Sequence, residues 1–143
     1  MGKKFVLYHT SAQDSENCNF ETRLNGLTPC STTSNYIRQY LRNLYKDKSL
    51  NKTCGKMTLV CNAFVGEKET VRSADASFLF SNGSIFTKVI GKCNALPNGD
   101  AEVGHIAEFT VIGGSEDFEN ARGTVTQKII SKNLRELTFK LKL

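Results

Sequence analysis

Near the end of the chain Leu137, Phe139, Leu141 and Leu143 are apolar, while Thr138, Lys140 and Lys142 between them are polar. That period of two predicts a half-buried strand. Met57, Leu59, Cys61, Ala63 and Val65 make a second stripe, with Val60 and Phe64 leaving the opposite face partly apolar. Phe5 to His9, Ala76 to Phe80, Ile85 to Ile90, Ile106 to Ile112 and Thr124 to Ser131 read as further strands. Asn82-Gly83 predicts a two-residue hairpin, since both residues tolerate positive φ. Asn98-Gly99 predicts another turn, and Gly113 to Phe118 separates the two strands around it. Seven or so short strands joined by tight turns point to a sandwich or a barrel. Because several strands are apolar on both faces, a closed barrel with an oligomer contact on its outer wall is the favoured reading.

One segment departs from alternation. From Ser34 to Asp47, Ile37, Leu41, Leu44 and Tyr45 recur at helical spacing, with Ser34 or Asn35 available as N-cap. A short helix or loop insertion is therefore expected near residues 34–47. On that helix Arg38, Arg42 and Lys46 would form one basic stripe, either a phosphate-binding face or, more in keeping with such stripes, a solvated one. Cys18 to Thr33 is polar and reads as a long loop.

The chain has 143 residues, enough for one domain with a real core, so residues 1–143 are read as a single unit. Its formal net charge of +5 is a mild bias spread along the sequence, and nucleic acid is not expected as a partner. No apolar run approaches the roughly 20 residues of a membrane-spanning helix. The Met-Gly-Lys-Lys start leads straight into a strand without a signal-peptide core, so an intracellular location is expected. Cysteines stand at 18, 30, 54, 61 and 93. They form no CxxC pair, and neither metal nor other cofactor is expected.

No nucleophile elbow, phosphate loop, zinc-protease helix or dinucleotide fingerprint is present. The informative run is Gly113 to Gly123, which reads Gly-Gly-Ser-Glu-Asp-Phe-Glu-Asn-Ala-Arg-Gly. It resembles the motif of plant dirigent proteins, in which a glycine pair and a phenylalanine lead to Ala-Arg-Gly. Glu108 ahead of Thr110-Val111-Ile112 is similar to that family's glutamate. Asn82-Gly83-Ser84 followed by Val89-Ile90-Gly91-Lys92 resembles its hairpin and the stretch beyond. The likeness runs from about Cys54 to Lys132. Upstream, Leu44-Tyr45 with Leu50, Lys52 and Gly55 looks more like the related allene oxide cyclases.

The resemblance implies an eight-stranded antiparallel calycin-like barrel and a trimeric assembly. It also implies a hydrophobic small molecule held in the barrel and steered through coupling or cyclisation without a redox cofactor. Confinement in a reactive geometry supplies orientation. On that footing Arg122 would be the catalytic cation, with Glu108, Asp117 or Glu116 as acid. Tyr8, His9, Phe78, Phe80 and Phe109 would contact the ligand. The chain departs from the pattern on its first strand, where Thr10 follows His9 and no acid stands. The alternative is a non-catalytic barrel whose role is structural or oligomeric. In that case Arg122 would pin its loop by pairing with Glu119 or Glu108.

Overall fold

A computed structural model describes residues 2–12, 19–24, 35–65, 70–93 and 102–143. The expected Asn98-Gly99 turn lies outside them, as does most of the expected loop from Cys18 to Thr33, whose described part, Asn19–Leu24, is a strand instead. Nine strands occur among the described residues: β1 (Gly2–Thr10), β2 (Asn19–Leu24), β3 (Asn35–Tyr45), β4 (Thr53–Val65), β5 (Thr70–Phe80), β6 (Gly83–Cys93), β7 (Ile106–Glu116), β8 (Arg122–Ile129) and β9 (Leu134–Lys142). Every pairing is antiparallel, in the order β1-β9-β8-β7-β6-β5-β4-β3. Tyr8 pairs with Tyr45 and returns β3 to β1, closing a barrel of eight strands. The ninth, β2, pairs with β3 from Asn35 to Tyr40. It covers the part of the β3 edge that β1 does not reach, and an uncovered edge invites pairing with other chains.

The helix expected near residues 34–47 is absent; residues 35–45 are a strand in the wall. Ile37, Leu41 and Leu44 fit a helix as well as a strand. The period of two was hidden because two inward positions of β3 are arginines. Closure decides the matter, since β3 pairs with β4 from Tyr36↔Ala63 to Tyr45↔Thr53. A bulge between Leu44 and Tyr45 lets both side chains be buried and bends the strand at the seam. The expected basic stripe dissolves with the helix. Arg42 points into the barrel and is buried, whereas Lys46 is exposed in the turn beyond.

The hairpin between β5 and β6 turns one residue earlier than expected. Phe80 pairs with Gly83, so Ser81 and Asn82 form the loop. Gly83 holds φ +143°, and a Cβ there would collide with Ser115 O and crowd Phe118. The loop from Asp117 to Ala121 is pinned onto this hairpin through Asp117 N–H to Asn82 O at 3.2 Å. Gly113 and Gly114, expected between strands, lie within β7.

Inward residues divide the interior into two ends. Near the chain termini it is filled by aromatic rings. Phe139 stacks on Phe5 with centroids 4.5 Å apart, and the edge of Phe78 meets it at 5.0 Å. Phe80 and Phe118 extend the group, at 5.6 Å from each other. Met57, Ile85, Val125 and Leu141 complete this apolar floor. Among the described residues no helix is long and apolar enough to cross a membrane.

Candidate functional site

At the opposite end, polar side chains occupy strand positions in phase with the core. Along β1 the inward residues run Phe5, Leu7, His9; along β3, Tyr40, Arg42, Leu44; along β8, Val125, Gln127, Ile129; along β9, Arg135, Leu137, Phe139. Each strand follows its apolar rhythm and substitutes a hydrogen-bonding group at this level. Buried polar groups need partners, and here they find one another.

His9 is fully buried. Its Nε2 lies 2.7 Å from Gln127 Oε1 and its Nδ1 lies 3.3 Å from Arg42 Nη1. A guanidinium can only donate, so Nδ1 accepts and the ring proton resides on Nε2, donating to Gln127. Burial, and then the charge of Arg42, push the His9 pKa down to about 3. The ring is neutral, with its lone pair engaged by Arg42, and is therefore not placed to act as a general base. The Arg42 guanidinium lies over the Tyr40 ring, its carbon 3.6 Å from the centroid. Arg135 donates from Nη1 to Ser131 O and Lys132 O, each at 3.1 Å, and so caps the β8–β9 turn. Arg38 and Arg72, half-buried, share the inward phase of β3 and β5.

The neighbouring strands are different. Strands β4, beside β3, and β7, beside β8, together with β5, place the small side chains of Cys61, Ala63, Ala74, Ala76 and Ala107 inward, with Ala107 opposite Gln127 and Cys61 opposite Arg38 in register. Long polar side chains thus lie beside short ones on adjoining strands at this level. No group of three His, Cys, Asp or Glu among the described residues is arranged to hold a metal ion.

The residues singled out from the sequence are dispersed. His9 is in this cluster. Phe109 is buried between the ends, while Phe78 and Phe80 belong to the aromatic floor. Tyr8 faces outward and donates to Glu136 Oε2 at 3.3 Å, with burial and that carboxylate raising its pKa. Glu108 is exposed on the outer face of β7. Asp117 is exposed in the β7–β8 loop and accepts from Asn82 Nδ2 at 3.0 Å. Arg122 is exposed at the start of β8 and donates to Ala121 O at 2.7 Å. Glu116 ends β7 with φ 52°. His105, just before β7, is half-buried, and burial lowers its pKa. The run from Gly113 to Gly123 therefore builds a packed corner at the aromatic end, away from His9.

Sequence reading missed Tyr40, Gln127 and Arg135, and placed Arg42 on a helix. One signal was available. Arg135 stands two residues before Leu137, and Gln127 midway between Val125 and Ile129. A polar residue in core phase must find partners inside.

No protein-family model matches the sequence, and no curated protein matches it. Among solved structures the fold is similar to pyocyanin demethylase, at 14% identity and a TM-score of 0.66, over 98% of this chain and 100% of that one. It is also similar to a pterocarpan synthase dirigent protein, at 13% identity and a TM-score of 0.62, over 99% of this chain and 84% of that one. The chain has a dirigent-like barrel fold.

Proposed function

We propose that this barrel binds a lipophilic small molecule at the polar end of its interior and holds it in an orientation that directs its coupling or cyclisation. The observation carrying this reading is the change of character along the interior: Arg42, His9 and Gln127 interleaved with small side chains on adjoining strands, above a packed aromatic floor. A barrel built only for stability would continue its aromatic packing through that level, since buried polar groups contribute less than apolar ones of equal volume. Both structural neighbours are named for a small organic molecule, which agrees with this reading. Rigid strands suit such work, because a positioning site must hold its groups to a fraction of an ångström.

Under this reading the aromatic floor gives the barrel its stability and the polar level its selectivity. Arg122, Glu108 and Asp117, outside the barrel, are not among the interior groups. The test is fluorescence titration with the neutral apolar probe N-phenyl-1-naphthylamine, alongside native mass spectrometry of the purified chain. Saturable probe binding at one site per chain is expected. Absence of saturable binding overturns the reading.

A second reading concerns assembly. Ile90 is 76% exposed and Phe64 55%, with Val60, Leu79, Phe86 and Ile112 also exposed on the wall from β4 to β7. Apolar residues spread over one sheet surface favour a protein contact, and we assign this wall to a homo-oligomer, a trimer by the family resemblance.

A further inference from the structure

Positive charge that is spread along the sequence is gathered by the fold onto one outer wall. On β1 the inward Phe5 and Leu7 turn Lys4 and Val6 outward. On β9 Lys140 and Lys142 alternate with the buried Phe139 and Leu141, and on β8 Arg122 and Thr124 alternate with Gly123 and Val125. These three strands are neighbours, in the order β1-β9-β8. Lys4 stands directly opposite Lys140, and Lys142 directly opposite Arg122. All four are exposed. At the rim Lys3 adds a further cation, its Nζ 5.6 Å from the centre of the Phe5 ring and 5.9 Å from that of Phe118.

Like charges directly opposite one another on paired strands oppose the fold. The remaining register partners of these residues on β1 and β8 are Gly2 and Thr124, and none of the four is ion-paired among the described residues. Lys88 on β6, by contrast, reaches Asp75 at 3.7 Å. The acids of the same wall lie farther along it, Glu108 level with Val6 and Glu136 beside Tyr8. Glu116, Asp117 and Glu119 belong to the β7–β8 corner, which is pinned to the β5–β6 hairpin. A wall that carries two like-charge pairs without a counter-charge suits an anionic partner.

Its composition narrows the partner's class. Lysines predominate, point charges on long stems that suit a diffuse anionic surface more than the two-pronged recognition of a single group. The outward positions around them are Val6, Thr124, Thr126 and Thr138, which offer no ring for stacking bases, and the wall has no helix to enter a groove. Val6 is 37% exposed and Leu143, beside Lys142, 50%. Cations interspersed with exposed hydrocarbon match the headgroup region of a bilayer, where lysine stems reach past apolar contacts to the phosphates.

We propose that the β1-β9-β8 wall docks the barrel onto a membrane surface of anionic phospholipids, with Lys4, Lys140, Lys142 and Arg122 on the headgroups and Val6 and Leu143 at the boundary with the acyl chains. On the ring of strands β9 stands opposite β5, so this face is separate from the apolar wall of β4 to β7. The contact is independent of what the interior binds.

The test is cosedimentation of the full chain with sucrose-loaded vesicles of phosphatidylcholine alone and of phosphatidylcholine mixed with phosphatidylserine. We expect binding to the mixed vesicles only, with release at high salt. Lys4→Gln with Lys140→Gln should lower the partition coefficient about tenfold or more, since each lysine at such a surface contributes roughly fivefold. Lys88→Gln with Lys128→Gln removes the same charge from outside the cluster and should lower it less than about threefold. Equal losses in the two double variants, or no vesicle binding at all, overturn the proposal. Without vesicles, the Lys4→Gln, Lys140→Gln variant should melt no lower than the unaltered chain, because a like-charge pair has been removed. Lower melting would assign these lysines to the fold and overturn their role as a docking face. The chain has no tryptophan, so Val6→Trp gives a single reporter. Its emission should move to shorter wavelength on the mixed vesicles; binding without that shift means that another face meets the bilayer. Preference for duplex DNA over the mixed vesicles would overturn the lipid assignment.

Discussion

Arg42 Nη1 donates to His9 Nδ1 across 3.3 Å, linking the strand that closes the barrel to the strand that begins it. Each side chain decides the chemistry of the other. The cation fixes the imidazole tautomer and, together with burial, keeps the ring neutral, while the lone pair of the ring helps aim the cation. Burial makes the pair costly to disturb.

The first consequence is a pH dependence of stability. His9 has a pKa of about 3 in the folded chain against about 6.5 unfolded. Between these values the unfolded chain binds a proton that the folded one does not. Stability therefore rises with pH through this window and falls as pH drops below about 6.5, by up to about 1.4 kcal/mol per pH unit for this one group. Urea unfolding from pH 4 to 7 should show His9→Gln with a flatter slope than the unaltered chain, by up to one proton. Identical slopes would mean that His9 is not held neutral by burial beside Arg42.

Gly123 has φ +134°, and a Cβ there would overlap Lys140 O on β9. Gly91, on β6, has open space around its Cα. Gly123→Ala should cost about 3 kcal/mol or more, combining backbone strain with a backbone clash. Gly91→Ala should stay within about 0.5 kcal/mol of the native chain. Thermal denaturation of the two variants side by side measures the difference.

The aromatic floor makes a separate demand. Phe139 is fully buried and touches the rings of Phe5, Phe78 and Phe80. Phe139→Ala should lose about 3–5 kcal/mol by removing a ring from a packed interior. Chemical denaturation checks it, and a loss below 1 kcal/mol would show that this end is loosely packed.

Arg122 donates to the neighbouring Ala121 carbonyl and is exposed. Arg122→Leu should leave the affinity for N-phenyl-1-naphthylamine within about twofold. A larger loss would move the candidate site from the polar interior to the β7–β8 corner.

For the outer wall, sedimentation velocity reports assembly directly. The unaltered chain should sediment as an oligomer, and the double variant Phe64→Asp, Ile90→Asp as a monomer, because buried unpaired charges oppose the contact. Sedimentation of the unaltered chain as a monomer would remove the assignment of this wall.

Local patterning made the barrel legible. Where strands carry apolar residues at every second position, as from Leu137 to Leu143, the period of two follows from the pleat and needs no tertiary information. The glycines of the 113–123 run were visible as well, though as a motif rather than as a packed corner. A Cβ's neighbours across two hairpins are not written in any local stretch. The helix expected near residues 34–47 shows where this reasoning ended. Arg38 and Arg42 occupy inward positions that apolar residues usually hold, so the marker of a strand was missing where the functional candidates lie.

Sequence alone therefore sufficed for the strand-rich class and most of the wall strands, while the packing of Phe78 and Phe80 into one end, in place of the expected ligand contacts, came from the fold. Short-range sterics and the hydrophobic pattern are enough for the class and the strands. Closure through β3, the inward turn of Arg42 and its meeting with His9 and Gln127 were decided only in three dimensions. These residues lie on three different strands, separated by 33 and 118 positions along the chain. Their partnership exists because an eight-stranded ring brings distant strands to one level, and a buried polar group there is stable only beside another.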